Sequence, residues 1–320
     1  MNEGVEVWSG GVNTWECDEM GHLNVRFWVA KSLEGLAGLA VRLGMPRAFT
    51  AGAESTLVVR EQHIRFLREA RAGAGLVMTG GVVEMGETDA RLLLVIRHLS
   101  GEPAAAFQVG VAHATSADLR PFPWPARIRE AAQALKVEVP AFAAARGLDL
   151  APVTSMASHA KALELGLTRI GMGVIQPAEC DVFGRMRGEV FIGRVSDGVN
   201  RLFGETRPGP EPTPGQPPGN IGGAVLEYRV LHLGWPRAGD SVELRSGFAG
   251  VEARTRRVAH WMVDPVSGRP WCSAEAVVIS FDLDARKVVE ISAAAQADYR
   301  AQMIPGLEAV RNSAWQVGPC

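Results

Sequence analysis

Two stretches of the chain place apolar residues three and four positions apart, the spacing that gives a helix one apolar face. The first stretch is Val25–Leu43, and Gly44 followed by Pro46 ends it. The second stretch is Val190–Phe203, and Gly204 ends it. The pattern therefore predicts one amphipathic helix in each half of the chain.

Two glycines, Gly35 and Gly38, lie inside the first of these helices. A glycine in an exposed helix costs up to roughly 1 kcal/mol relative to alanine, so something must compensate for both. We expect the compensation to be close contact between this helix and a neighbouring backbone.

Segments typical of β-strands flank each predicted helix. A short extended segment precedes it, at 5–15 and 167–176, and four strand segments follow it. Apolar and polar residues alternate in several of them, which indicates strands with one buried face. The strand segments are 55–67, 74–85, 90–99 and 103–114 in the first half, and 224–234, 241–251, 255–264 and 271–282 in the second. The sequence thus predicts an α+β fold with an antiparallel meander in each half.

The tripeptide ECD occurs twice, ending at Asp18 and at Asp181, which lie 163 positions apart. The dipeptide AG at 72–73 and 238–239, and the related turns SGEP at 100–103 and SGRP at 267–270, recur at nearly the same distance. A fixed period of this kind indicates that one unit was duplicated. The main difference between the copies is a Pro/Gly-rich loop at 205–220, whose composition is unsuited to packing in a core.

A helix followed by a meander can bury its apolar face if the sheet curls around it. Two such units would join their sheets edge to edge, which protects strands that would otherwise pair with other chains. We therefore expect a first unit at 1–120, a helical connector at 121–165, a second unit at 166–290 and a C-terminal helix or tail at 291–320.

Composition excludes several classes of protein. The chain is 47% hydrophobic and 21% charged with a formal net charge of −2, so nothing indicates a nucleic-acid or membrane partner. Apolar runs fall short of the roughly 20 residues of a membrane span, and the N-terminus lacks the pattern of a secretory signal. A cytoplasmic location is expected. Cysteine and histidine spacings match no metal motif, so neither a metal nor a resident cofactor is expected.

The segment DEMGHLNV at 18–25 places polar groups just before the first predicted helix. Asp18 could act as a general base on water or attack a carbonyl directly, and His22 and Asn24 could orient the reactants. Free amides at the helix N-terminus could receive a developing oxyanion. The structural alternative is that Asp18 caps the helix and that Gly21 is a turn residue.

The run DEMGHLNVRFW at 18–28 resembles the D-x-[N/M]-G-H-V-N-N-x-x-[YW] signature of hotdog-fold thioesterases of the 4-hydroxybenzoyl-CoA and acyl-ACP thioesterase-like branches. The duplicated order of elements resembles a tandem, or double, hotdog. This resemblance implies hydrolysis of an acyl-CoA or acyl-ACP thioester, with Asp18 as base or nucleophile and coenzyme A present only as part of the substrate. It further implies that His22 and Asn24 lie near the thioester and that the amides of Gly21 and Leu23 polarise its carbonyl.

The first copy departs from the signature at two positions. Val25 replaces the second Asn, and Met20 stands where plant-type acyl-ACP enzymes have a catalytic Asn. The arrangement of the attacking water is therefore expected to differ from theirs.

The second copy keeps Asp181 but has Arg185 and Arg187 where the first copy has His22 and Asn24. We favour a structural pairing of Asp181 with one of these arginines. They could instead bind a phosphate or an acyl carboxylate, or the second site could be active on a different acyl group. Since hotdog sites lie between two units, each pocket is expected to include surface from the other copy.

Other functions stay open at this point. The fold also supports enoyl-CoA hydratases or dehydratases and non-catalytic acyl-CoA-binding modules. A homo-oligomer of double-hotdog units is compatible with the sequence. Four arginines on or after one strand segment are candidates for contacting coenzyme A, although a solvated strand face explains them equally well: Arg60, Arg65, Arg68 and Arg71.

Overall fold

The structure is a computed structural model that describes residues 3–152, 155–203, 221–282, 284–285, 287–305 and 307. The predicted Pro/Gly-rich loop at 205–220 lies outside the described residues. The first half contains β1 Val5–Gly11, α1 Val25–Arg42, β2 Ser55–Phe66, β3 Gly75–Met85, β4 Asp89–His98 and β5 Pro103–Thr115. These elements match the order that the sequence patterns predict.

The second half repeats the order of the first after a connector. The connector contains α2 Ala126–Ala134 and α3 His159–Glu164, separated by a short 3₁₀ turn. The second half then contains β6 Thr168–Val174, α4 Gly188–Gly198, β7 Ile221–His232, β8 Ser241–Val251, β9 Thr255–Val263, β10 Pro270–Asp282, the short β11 Lys287–Val289 and α5 Ala293–Gln302. Helix α4 is shorter than predicted, since the chain tightens into a 3₁₀ turn from Val199 to Leu202.

The eleven strands of the described residues form one sheet in the order β1-β3-β4-β5-β2-β7-β10-β9-β8-β6, with β11 paired to β10. Pairing between these strands is antiparallel. The halves meet where β2 pairs with β7, with His63 opposite Arg229 and Ile64 opposite Tyr228. Reading outwards from this seam, the two halves have the same strand order. The α+β class and the antiparallel sheet are therefore confirmed.

Helix α1 packs on β1, β3 and β4 and also against α4. Its buried positions include Trp28, Leu36 and Leu39, in line with the predicted apolar face. A β-carbon on Gly38 would lie 2.0 Å from the backbone oxygen of Val7, so the predicted close approach to a neighbouring backbone is confirmed there. The main apolar core runs continuously through both halves.

Candidate functional site

The loop that carries Asp18 is a tight turn closed by its own carboxylate. Asp18 Oδ1 accepts hydrogen bonds from the amides of Met20 (2.9 Å) and His22 (3.1 Å). The Asp18 amide donates to the carbonyl of His22 at 2.8 Å. Gly21 has a φ of 75°, a conformation that glycine adopts without the penalty paid by other residues. The second carboxylate oxygen, Oδ2, makes no hydrogen bond to the described residues.

The capping role considered for Asp18 belongs to Asn24. Asn24 precedes α1 directly, and its Oδ1 accepts from the amide of Arg26 at 2.9 Å. Its Nδ2 donates to Ser196 Oγ on α4 at 3.2 Å. Asn24 therefore caps one helix and links it to the helix of the other half, while Asp18 closes the preceding turn.

The two amides expected to polarise a carbonyl are both engaged within the protein, which corrects that expectation. The Gly21 amide donates to the carbonyl of Asp18 at 3.0 Å, and the Leu23 amide donates to the carbonyl of Ala70 at 2.8 Å. Val25, the first residue of α1, lines the cavity described below. Its amide belongs to the first helical turn, where amides have no acceptor within the helix.

The imidazole of His22 is buried between two charged side chains. Its Nε2 lies 3.2 Å from Glu69 Oε2 and 3.3 Å from Arg71 Nη2. Glu69 and Arg71 lie on the segment that follows β2. This segment pairs with the Asp18 loop through a β-bridge between His22 and Arg71. The contacts fix the orientation of the ring. Sequence reasoning missed the role of Glu69, although the AG repeat at 72–73 and 238–239 points to this segment.

A cavity of about 1930 Å³ opens beside this loop and is lined by both halves of the chain. The first half contributes Asp18, His22 and Asn24, so the structure brings these predicted residues to one cavity. The second half contributes α4 with the following turn and parts of β7, β9 and β10. Of the four arginines considered for coenzyme A, Arg68 and Arg71 are among the lining residues. Arg68 also pairs with Glu102 at 2.9 Å.

The part of the cavity formed by the second half contains buried polar side chains that the sequence did not reveal. His260 Nδ1 lies 2.7 Å from Ser246 Oγ, and burial lowers the pKa of His260 to about 3. Burial also raises the pKa of Tyr228. Arg256 on β9 donates to the hydroxyl of Tyr299 at 2.6 Å. His260 and Tyr228 are thus neutral near pH 7, while the guanidinium of Arg256 is charged.

The second ECD loop has the same backbone geometry but a different surrounding. Asp181 Oδ1 accepts from the amides of Phe183 (2.8 Å) and Arg185 (3.0 Å). Asp181 Oδ2 lies 3.5 Å from Arg185 Nε, while Arg187 lies 3.2 Å from Glu189. The pairing of Asp181 with Arg185 agrees with the structural interpretation favoured above. None of Asp181, Arg185 and Arg187 lines the cavity beside Asp18.

A metal-binding cluster and a membrane-spanning helix are both absent from the described part of the chain. It contains no group of three or more His, Cys, Asp or Glu residues placed to hold a metal ion. None of its helices is long and apolar enough to cross a membrane.

Comparison with known proteins agrees with the fold. Residues 12–132 match the model of the Thioesterase-like superfamily, and no curated protein sequence matches the chain. A structure described as an oleoyl thioesterase from Lactobacillus plantarum is similar over 87% of this chain and 97% of its own, with 12% identity and a TM-score of 0.65.

Two further structures have the same fold. The 12:0-ACP thioesterase from Umbellularia californica is similar over 85% of this chain and 93% of its own, with 11% identity and a TM-score of 0.61. An acyl-ACP thioesterase from Bacteroides thetaiotaomicron VPI-5482 is similar over 85% and 96%, with 10% identity and a TM-score of 0.60. At these identities the likeness establishes the fold, and the match to the thioesterase-like model is confined to residues 12–132, the stretch that contains Asp18.

Proposed function

We propose that the chain consists of two hotdog units, at 1–120 and 166–290, and that it hydrolyses acyl thioesters in the cavity beside Asp18. The shared order of elements and the pairing of β2 with β7 support the division into units. The observation that carries the function is the position of Asp18, which lines a large cavity between the units in a stretch matching the thioesterase-like superfamily.

Asp18 supplies the carboxylate for the reaction. Two amides hold its Oδ1, which leaves Oδ2 to take a proton from water. The water oxygen attacks the carbonyl carbon, the carbon–sulfur bond breaks, and the thiolate gains a proton to give free acid and thiol. In the alternative route Oδ2 attacks the carbonyl itself and the carbon–sulfur bond breaks, so that the thiol leaves. Water then hydrolyses the mixed anhydride to the free acid and restores the Asp18 carboxylate.

The start of α1 supplies the electrophilic side of the site. Negative charge develops on the carbonyl oxygen during attack, and the partial positive charge of a helix N-terminus stabilises it. Because Gly21 and Leu23 donate elsewhere, we assign this role to the amide of Val25. His22, fixed by Glu69 and Arg71, and Asn24, fixed by Ser196, position the water and the carbonyl.

The carrier of the acyl group is a coenzyme A or an acyl carrier protein. Some of the solved structures with this fold are named as acyl-ACP thioesterases. In this chain Arg68 and Arg71 line the cavity beside the loop, where a phosphorylated pantetheine arm would enter. No resident cofactor takes part in the proposed reaction.

The test compares Asp18→Asn with Asp181→Asn, because both aspartates close the same turn with the same pair of amide contacts. We expect Asp18→Asn to lower kcat for thioester hydrolysis by about 10²- to 10⁴-fold, the usual contribution of a general base. Asp181→Asn is expected to leave kcat unchanged. Thiol release from acyl-CoA and acyl-ACP substrates of varied chain length measures both.

Equal loss of activity in the two variants would mean that the carboxylate serves only the turn, and the proposed role of Asp18 would be wrong. If wild type releases no thiol from any substrate, hydrolysis itself is excluded. Loss of enoyl-CoA absorbance would then identify a hydratase, and tight binding without turnover would identify an acyl-CoA-binding module.

A further inference from the structure

One buried cation in the part of the cavity formed by the second half has no anionic partner among the residues that the structure describes. Arg256 is 6% exposed and lines the cavity. Its Nη1 donates to the hydroxyl of Tyr299 at 2.6 Å and its Nη2 to Ser280 Oγ at 3.0 Å. The rings of Tyr299 and Phe203 lie 5.0 and 5.7 Å from the guanidinium carbon. Among the described residues Arg256 forms no ion pair.

Arg229 shows how this protein otherwise buries a guanidinium. It is also 6% exposed, but its Nε donates to Glu61 Oε1 at 2.7 Å. Its Nη1 donates to the carbonyls of Asp149 and Ala151. Burying a charge costs free energy unless a partner compensates for it. Arg256 has two neutral hydroxyls in place of such a partner, so an anion bound in the cavity would complete its coordination.

The groups around Arg256 favour an anion further. Tyr299 and Ser280 accept hydrogen bonds from Arg256, so their own protons are left to donate to a ligand. Tyr228 and His260 line the same part of the cavity and carry no negative charge. Asp197 is the sole carboxylate that the described residues of the second half contribute to the lining, and it is exposed on α4.

We propose that the acyl group of the substrate carries a carboxylate of its own, which Arg256 binds while the thioester lies beside Asp18. This inference rests on the proposed hydrolysis and narrows its substrate class to the half-thioesters of dicarboxylic acids. Tyr299 and Ser280 donate to the same carboxylate. These hydrogen bonds are charge-assisted, and a hydrogen bond between a guanidinium and a carboxylate is stronger than one between two neutral groups.

The first experiment compares CoA thioesters in pairs of equal chain length, one ending in a methyl group and one in a carboxylate. Wild type is expected to have the higher kcat/KM for the carboxylate member of at least one pair. Arg256→Gln is expected to lower that value by about ten- to a hundredfold, the cost of losing hydrogen bonds to a charged group. Hydrolysis of the methyl member should not fall. Arg256→Lys, which keeps the charge, should retain part of the preference.

Two further variants separate recognition from folding. Arg254→Gln removes a nearby exposed arginine that pairs with Glu290, and it should change neither rate. Tyr299→Phe keeps the ring that packs on Phe248 but removes the hydroxyl, and it should weaken the preference for the carboxylate member. Circular dichroism and thermal melting of each variant show that the fold is intact.

A binding measurement needs neither turnover nor a particular carrier. Calorimetry with a free monocarboxylic acid and its primary amide of matched length should show tighter binding of the acid to wild type and to Asp18→Asn, and loss of that difference in Arg256→Gln. If no thioester is hydrolysed but this difference is present, the hydrolase proposal fails and carboxylate recognition stands. If both members of every thioester pair are hydrolysed equally and Arg256→Gln binds the acid and the amide as wild type does, carboxylate recognition is refuted and hydrolysis stands.

Discussion

Glu16 and Glu179, the first residues of the two ECD tripeptides, have the same structural role. Glu16 Oε2 accepts from the amide of Asn13 at 2.8 Å, and its Oε1 accepts from Lys31 Nζ on α1 at 2.7 Å. Glu179 makes the corresponding bonds with the amide of Gln176 and with Arg194 on α4. The tripeptide therefore recurs because the turn recurs, whereas the chemistry depends on the positions that differ, such as His22.

The ionisation of Glu16 makes the free energy of unfolding depend on pH. Its burial opposes ionisation, but the hydrogen bonds from Lys31 and from the Asn13 amide outweigh this effect and lower the pKa of Glu16. A carboxylate whose pKa is lower in the folded state contributes stability that is complete above its unfolded pKa of about 4.3 and is lost as the pH falls further. Glu16→Gln should therefore reduce the free energy of unfolding near neutral pH and flatten its decline in acid.

Urea denaturation of wild type and Glu16→Gln from neutral to acid pH measures this effect. Glu164→Gln is the control, because Glu164 is exposed and pairs with Lys161 on the surface. Identical pH dependence in wild type and Glu16→Gln would show that the pair with Lys31 does not stabilise the fold through ionisation.

At the scale of elements, apolar periodicity predicted the order of helices and strands in both halves. The start of α1 was harder to predict, because Asp18 and Asn24 are both residue types that cap helices, and only the backbone shows that the turn separates them. The further residues that line the cavity or contact the predicted site residues could not be predicted from their spacing in the sequence. Glu69 reaches the cavity from the segment after β2, Ser196 from α4 and Arg256 from β9, and that proximity depends on how the two halves pair.

The contact between α1 and β1 gives a prediction at this scale. A β-carbon on Gly38 would overlap the backbone oxygen of Val7 at 2.0 Å, and a backbone atom cannot move aside as a flexible side chain can. Helix propensity alone would make Gly38→Ala stabilising by about 1 kcal/mol. We expect instead a loss of about 1–3 kcal/mol in the free energy of unfolding, the usual cost of overpacking.

Chemical denaturation of Gly38→Ala tests the sign of this change. Gly52→Ala is the matched control, since a β-carbon there meets open space. A stabilised Gly38→Ala would mean that α1 moves away from β1 without cost, and the close approach would not be what retains glycine.

At the scale of the whole molecule, the seam between β2 and β7 joins the halves through two crossed side-chain contacts, a His–Glu hydrogen bond and an Arg–Glu ion pair. His63 Nε2 lies 2.7 Å from Glu227 Oε1, and Arg229 Nε donates to Glu61 at 2.7 Å. The connector is bound to the same groups. Glu227 accepts from the amides at positions 146 and 147, and Arg229 donates to carbonyls at 149 and 151. One cluster therefore holds both halves and the chain that links them, which predicts that they unfold together.

Glu227→Gln tests this cooperativity. Burial opposes the ionisation of Glu227, but the hydrogen bonds from His63 and from the amides of Gly147 and Arg146 lower its pKa below the ordinary value. An amide side chain of the same shape loses the charge and one acceptor atom, so we expect a loss of about 2–3 kcal/mol in the free energy of unfolding, typical of hydrogen bonds to a buried charge. Glu138→Gln, at an exposed position in the connector, is the control.

Hydrogen exchange shows which amides lose protection when Glu227→Gln lowers the free energy of unfolding. If the seam and the connector form one cooperative unit, Glu227→Gln lowers protection of the connector amides and of the β2–β7 amides by the same free energy, because both open only in global unfolding. Lowered protection in the connector alone would contradict the prediction, since the connector would then detach while the two halves remain paired. The Ala143 amide is the connector probe, because its acceptor is the carbonyl of Pro140 and the substitution does not touch it. Comparing it with the amide of Ile64, in the strand opposite Tyr228, decides between these outcomes within one protein sample.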